Sequence, residues 1–299
     1  MTLSEDIARA LQLSVRYVRG VAGTASHRYK SFPIKKSDGK SVRIIEQPSK
    51  ELKLLQRWLV RRVFDPLPTH SCAHAYVKGR SIETNAAVHR GSRFISRLDL
   101  EHFFTSLTSS DVAALLRNHG TSSDGAILSE DDIRMICAIS CRFGRLTIGA
   151  PSSPTISNKL MHGLDTRLTA VATDFAVKYT RYADDLYFSS SRPGVLYEVC
   201  KKVEAIFAET TSPRLTINEK KTYHASRKKR MAVTGIRITP EGKLSVGHDL
   251  KRMLRVAAHK ASQKKIGEEE LGWLSGMLAY VSSIEPHFVE QIRSRYGIG

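Results

Sequence analysis

Cysteine is scarce: the 299 residues include only Cys72, Cys137, Cys141 and Cys200, and none forms a C-x-x-C pair. Cys137 and Cys141 stand four apart, a spacing that shares one helix face. No second ligand pair lies at zinc-site spacing, so the four read as reduced, packed thiols in a cytosolic protein. No apolar run approaches the ~20 residues of a membrane span. The first residues carry acids early and no long apolar block, so no signal peptide is expected. Neither a basic amphipathic anchor nor a lipidation motif stands out, and no membrane partner is expected. Low-complexity segments and fixed-period repeats are missing too. Acids are in deficit, with 29 Asp+Glu against 47 Lys+Arg and a formal net charge of +18.

Such a positive surface favours polyanions, nucleic acid first. Basic residues recur along the chain, at Lys35, Lys36, Arg61, Arg62, Lys201 and Lys202, then in the run Arg227, Lys228, Lys229, Arg230. Hydrophobic residues reach 41%, enough to bury a core, which excludes a disordered tail. Residues 4–18 are expected as one short helix opened by Ser4. Residues 29–47 read as a hairpin turning at Asp38-Gly39. Ser49 should cap a helix running to about Phe64, with Leu52, Leu55, Leu59 and Val63 inward, and Asp65-Pro66-Leu67-Pro68 should end it. Residues 93–100 read as a strand, and a helix should begin near 108–111. Ser129 and Asp132 form a cap ahead of Ile133, Ile136 and Ile139. One long helix is expected after Pro154, with Ile156, Leu160, Leu164 and Leu168 on one side. Residues 176–190 read as two strands around a sharp turn at Ala183-Asp184. A helix over 195–209 and strands within 214–247, turning at Glu241-Gly242, follow. Three helical segments close the chain. The class is α+β with a helical C-terminal lobe.

The chemistry concentrates in YTRYADDLYFSS, residues 179–190. Adjacent strand residues point to opposite faces, but at a tight turn Asp184 and Asp185 can converge. Two like charges so close are costly unless a cation neutralises them, and Mg²⁺ suits hard oxygen ligands that leave room for phosphate. The plainer reading is an exposed Asp-Asp turn; the flanking Tyr179, Tyr182, Leu186, Tyr187 and Phe188 argue instead for a buried hairpin. Asp99, in RFISRLDLEHFF, supplies a further carboxylate after a strand. A two-metal centre needs about three such groups, and Asp99, Asp184 and Asp185 make that set.

These segments resemble reverse transcriptases, most of all the bacterial retron reverse transcriptases. Tyr182-Ala183-Asp184-Asp185 is similar to the family's catalytic hairpin, and the Asp99 segment to its first catalytic motif. Gly149-Ala150-Pro151-Ser152-Ser153-Pro154 resembles the motif before the palm helix. Asn85-Ala86-Ala87-Val88-His89 matches the retron N-A-x-x-H pattern, and Val233-Thr234-Gly235 the V-T-G pattern. One departure is Ile148, where the family often carries glutamine near the incoming nucleotide.

The resemblance implies a right-hand polymerase: N-terminal helix and fingers over 1–97, an RRM-like palm over 98–240 with a fingers insertion at about 108–150, and a helical thumb over 241–299. It implies two Mg²⁺ ions, with Mn²⁺ as an alternative, held by Asp99 and Asp184 while Asp185 completes the acidic cluster. Lys221, rather than Lys220, would protonate the leaving pyrophosphate. Arg43, with Lys35 or Lys36, would meet the triphosphate, Phe104 would exclude a 2′-OH beneath the sugar, and Gly149 and Ala150 would let backbone approach the nucleotide. Nucleic-acid contacts would come from Arg227, Lys228, Lys229, Arg230, Lys251 and Arg255, while Asn85 and His89 would either contact the RNA or serve a structural role. Trp273 and Tyr280 should pack the thumb core. The implied reaction is RNA-templated addition of dNTPs in a bacterial cytoplasm, priming from a 2′-OH of a cognate structured noncoding RNA to leave branched msDNA. No RNase H domain fits the remaining length, so a host RNase H is implied, as is a separate effector protein in antiphage defence. The alternatives are an intron or diversity-generating reverse transcriptase and a non-catalytic RNA-binding scaffold of the same fold.

Overall fold

The computed structural model describes residues 2–35, 39, 42–121, 125 and 127–298. Lys36 and Asp38, the tip of the expected first hairpin, lie outside them. The chain begins with two helices, α1 (Leu3–Leu11) and α2 (Val15–Gly23), where one was expected. Thr2 and Ser14 cap them, not Ser4; Ser4 is buried. The hairpin β1 (Tyr29–Lys35) and β2 (Val42–Pro48) follows, paired from Tyr29↔Pro48 to Lys35↔Val42. Ser49 then caps α3 (Lys50–Leu59) as expected, and the helix runs on as a wider π-turn to Phe64.

After α4 (Ile82–Val88) comes β3 (Phe94–Asp99), then α5 (Phe103–Ser106), α6 (Ser109–His119) and α7 (Glu130–Ser140). Capping boxes at Thr108/Asp111 and Ser129/Asp132 open α6 and α7. The long helix expected after Pro154 is broken at Met161 into α8 (Ser153–Leu160) and α9 (His162–Asp174). Strands β4 (Lys178–Tyr182) and β5 (Asp185–Ser190), helix α10 (Val195–Glu209) and β6 (Tyr223–Ser226) complete a four-stranded antiparallel sheet of order β4-β5-β3-β6. A smaller sheet, β7 (Ala232–Val233), β8 (Ile236–Ile238) and β9 (Leu244–Ser245), precedes α11 (His248–Ser262), α12 (Glu268–Ser282) and α13 (Pro286–Tyr296).

Period-two alternation gives the large sheet two different faces. Leu98, Leu186 and Phe188 face α9 and α10, joining Leu168, Val199 and Val203 in the main core. Ile95 and Tyr187 lie in a second core with Ala86 of α4 and Val233, Ile236 and Ile238 of the small sheet. The last three helices close on their own core through Leu254, Leu274, Leu278 and Val289. Tyr280 touches that core, whereas Trp273 is 39% exposed and lies on the surface.

Candidate active site

The site is built where β4 hands over to β5. Tyr182 pairs with Asp185, so Ala183 and Asp184 alone make the turn, and Ala183 takes the left-handed φ of 56°. A small side chain limits the cost of that backbone. The turn is held from both sides. The Leu100 amide donates to the Asp184 carbonyl at 3.0 Å. From below, the wholly buried Arg181 donates through Nη1 to the Ala183 carbonyl at 3.3 Å. Its Nε and Nη2 grip the buried Asp165 at 2.9 and 2.7 Å. Asn158 accepts from Arg181 at 3.0 Å and donates to the Ala75 carbonyl at 2.9 Å, next to Tyr76. A buried charge pair with its remaining hydrogen bonds satisfied keeps one geometry, and loss of either partner is costly.

Strand register brings the third carboxylate in. Asp99 lies opposite Asp185 on neighbouring antiparallel strands, and such partners share a face. The three carboxylates have different surroundings. Lys221, on the 3-10 turn Glu219–Lys221, places Nζ 3.0 Å from Asp99 Oδ1. Asp185 receives the Tyr187 hydroxyl on Oδ2 at 3.0 Å and has Arg97 Nε 3.7 Å from Oδ1. Burial raises the Asp184 pKa and Asp99 adds to it, against the opposing pull of Lys221 and Arg43. Burial pushes Asp185 up to about 6, with Asp184 and Asp99 adding and Arg97 and Tyr187 opposing. Beside the turn opens a cavity of about 610 Å³. Its lining includes Asp184 and Lys221, Arg43 on β2, the polar Glu46, Glu101 and Asn218, and the apolar faces of Tyr76, Phe104 and Ile148.

The donor set suits a hard divalent cation in kind: carboxylate oxygens only, with Asp184 and Asp185 held at raised pKa first by burial and then by the neighbouring carboxylates, Asp99 for Asp184 and both Asp184 and Asp99 for Asp185. It is not a ready-made cage. Among the described residues, no three acidic, histidine or cysteine side chains converge as a metal cluster; Asp99 is paired with Lys221, and Asp185 with Tyr187 and Arg97.

A family model described as "Reverse transcriptase (RNA-dependent DNA polymerase)" matches residues 34–238. The Retron Ec86 reverse transcriptase of Escherichia coli is 34% identical over 98% of this chain and 90% of that protein. The Retron Mx162 reverse transcriptase of Myxococcus xanthus is 37% identical over 95% of this chain, which spans 64% of that protein's length. The chain belongs to the retron reverse transcriptases. Its fold is similar to that of a solved telomerase from Candida albicans, with a TM-score of 0.50 at 11% identity, covering 90% of this chain and 56% of that one. The family uses divalent metals, in keeping with the oxygen donors.

Several residues expected at the site stand where they can act. Lys221, and not Lys220, reaches the acidic cluster. Both Phe103 and Phe104 line the cavity, but Phe103 is buried in the core while Phe104 is the more exposed of the two. Lys228, Lys229, Arg230 and Arg255 are exposed. Others are placed differently. Gly149 is needed for strand packing: at φ 120°, a Cβ there would lie 2.8 Å from the Glu46 carbonyl of β2. Its neighbour Ala150 is buried, so the side chain that reaches the cavity from this segment is Ile148. Asn85 and His89 are fully buried and cannot touch RNA. His89 bonds Ser189 Oγ at 2.7 Å and Thr180 Oγ1 at 2.8 Å, locking α4 to β4 and β5. Arg227 donates from Nε, Nη1 and Nη2 to the carbonyls of Ser92, Pro240 and Arg90, so its guanidinium is held against the backbone with two of its five N–H groups left over. Lys251 is tied to Glu285 and lies over the Phe288 ring.

Tyr76, Arg97 and Tyr187 were missed. Alternation could have found the last two, since Arg97 stands two residues before Asp99 and Tyr187 two after Asp185. Nothing local marks Tyr76, which faces Phe104 with ring centroids 6.4 Å apart and takes φ 61°.

Proposed function

We propose that this reverse transcriptase copies a cognate structured noncoding RNA into DNA, priming from a 2′-OH of that RNA and leaving a branched RNA–DNA product, msDNA. Fingers over 1–97, palm over 98–240 and thumb over 241–299 divide the work. A host RNase H trims the template, and the product serves antiphage defence together with a separate effector protein. The observation that carries the reading is the cavity itself. It gathers a cation, Arg43, a carboxylate, Asp184, a second cation, Lys221, and a flat apolar ring, Phe104, around a volume of nucleotide size. Retron relatives support the class of template.

Asp99 and Asp184 would hold Mg²⁺, which when bound supplies charge stabilisation for in-line phosphoryl transfer. Asp185 completes the acidic cluster. Arg43 presents a planar fork suited to phosphate oxygens and orients the triphosphate. Phe104 lies beneath the sugar and excludes a 2′-OH. Lys221 holds a proton on Nζ within reach of the leaving pyrophosphate and gives it up as the bond to the α-phosphorus breaks.

The test is copurification from cells expressing the protein with its own genomic neighbourhood. Bound nucleic acid is treated with RNase, DNase and a 2′–5′ debranching enzyme and resolved on a denaturing gel. A discrete DNA released from RNA by debranching is expected, and Asp184→Asn should abolish it while RNA still copurifies. Unbranched DNA, with dNTPs still added to a generic primed RNA, would move the chain to an intron-like or diversity-generating activity. RNA bound without any incorporation would leave a scaffold.

A further inference from the structure

Tyr187 is an unusual residue to bury, since its hydroxyl needs partners. It is 1% exposed, and it finds two. The hydroxyl donates to Asp185 Oδ2 at 3.0 Å, because a carboxylate can only accept. The same oxygen accepts from the Thr234 amide at 3.1 Å. Thr234 and Gly235 are the two residues between β7 and β8, and both take left-handed φ, 47° and 84°. A two-residue turn with both φ positive matches the twist of its strands, and it aims the Thr234 amide at Tyr187. The Thr234 hydroxyl donates to the Ile82 carbonyl at 3.2 Å, pinning the turn to the start of α4. The V-T-G segment is thus not a free loop. It is the far end of a chain of hydrogen bonds that runs through one phenol to the acidic cluster.

We propose that Tyr187 is a positioning residue for the polymerase reaction: its hydroxyl fixes the Asp185 carboxylate, and the V-T-G turn fixes the hydroxyl. This rests on the polymerase reading above. Without the hydroxyl, Asp185 Oδ2 loses a donor, and Arg97, 3.7 Å from Oδ1, is left as its one charged partner among the described contacts. The carboxylate then swings toward Arg97 and away from Asp184. Groups that orient metal-binding carboxylates typically cost about 10- to 100-fold in metal affinity or activity when removed.

The experiment compares wild type with Tyr187→Phe, which keeps the ring and its packing, and with Gly235→Val, which strains the turn without touching the cluster. Three quantities are read on the full chain: kcat and dNTP KM on a primed RNA, Mn²⁺ binding by electron paramagnetic resonance, and primer–template Kd with Tm. Tyr187→Phe should lower kcat by about 10-fold or more and weaken Mn²⁺ binding similarly. Primer–template Kd should stay within about twofold. Gly235→Val should move kcat and Mn²⁺ binding the same way. Unchanged kcat and Mn²⁺ binding in Tyr187→Phe overturns the proposal. So does a parallel loss of primer–template binding and Tm, which would make the phenol merely structural. If wild type extends no primer, the polymerase reading fails, while Mn²⁺ binding still reports on the relay by itself.

Discussion

Acid should unfold this protein through His89, and the size of the effect can be worked out. The ring is fully buried. Ser189 Oγ gives its proton to Ser92 Oγ at 2.9 Å, so it accepts from His89 Nδ1–H, and Nε2 accepts from the Thr180 hydroxyl. The neutral ring is therefore fully partnered. Burial, with help from Lys178 and His74, lowers its pKa from 6.5 to about 3. A folded pKa below the unfolded one gives stability that is complete above pH 6.5 and lost as pH falls toward 3. At pH 5 nearly every unfolded chain carries the proton and almost no folded chain does. One such group then costs on the order of 2 kcal/mol, at up to about 1.4 kcal/mol per pH unit. His74, lowered by burial to about 4, acts in the same direction. The assay is urea unfolding at pH 7.5, 6.5, 5.5 and 5.0 for wild type and His89→Gln. The variant should be weaker at pH 7.5 by about 1–3 kcal/mol, from lost buried hydrogen bonds. Its stability should fall less steeply with acid, by close to one proton. Equal slopes in the two proteins would refute the reasoning.

Phe104→Val should open the floor of the cavity and raise ribonucleotide incorporation relative to deoxynucleotide by roughly 10-fold or more, measured by competing dNTP and NTP on one primed RNA. Arg227→Ala should destabilise by about 2–4 kcal/mol through its lost charged hydrogen bonds yet leave the salt dependence of RNA binding alone. Lys228→Ala with Lys229→Ala should do the reverse, lowering the slope of log K against log salt by up to about 0.7–0.9 per lost phosphate contact. Gly149→Ala should push β2 back, because its Cβ would meet the Glu46 carbonyl; dNTP KM should rise through Arg43, while primer–template Kd stays fixed.

How much of this could be read from the sequence depended on how local the signal was. The turn at Ala183-Asp184 was legible because two strand patterns flank it, and the caps at Ser49 and Ser129 because each writes itself within four residues. The pairing of Asp99 with Asp185 was inferred as chemistry, and only the register of β3 on β5 makes it geometry. What escaped was side-chain occupation. Arg227 sits in a run of four bases that reads as a phosphate-binding patch, but three distant carbonyls claim it, and no pattern in the run distinguishes it from Lys228. The break at Met161 escaped for a similar reason. Apolar residues continue at helical spacing through it, so periodicity alone joins α8 to α9.

The two retron patterns look like separate contact motifs along the chain, and the fold makes them one support. His89 ends α4 and is bonded to β4 and β5; Ile82 begins α4 and takes the Thr234 hydroxyl. Ala86, between them, packs in the core that also holds Tyr187, Val233 and Ile236. Helix α4 is therefore fastened at both ends, once to the strands that carry the Ala183-Asp184 turn and once to the hairpin that reaches Asp185 through Tyr187. A change at either pattern must act first on the geometry of the sheet, even where its final effect is on nucleic acid. On the proposed function, exposed groups such as Lys228, Lys229 and Arg255 would carry the contacts with the polyanion. Loss of a buried motif residue should consequently show in Tm before it shows in RNA affinity, whereas loss of an exposed base should show in affinity alone.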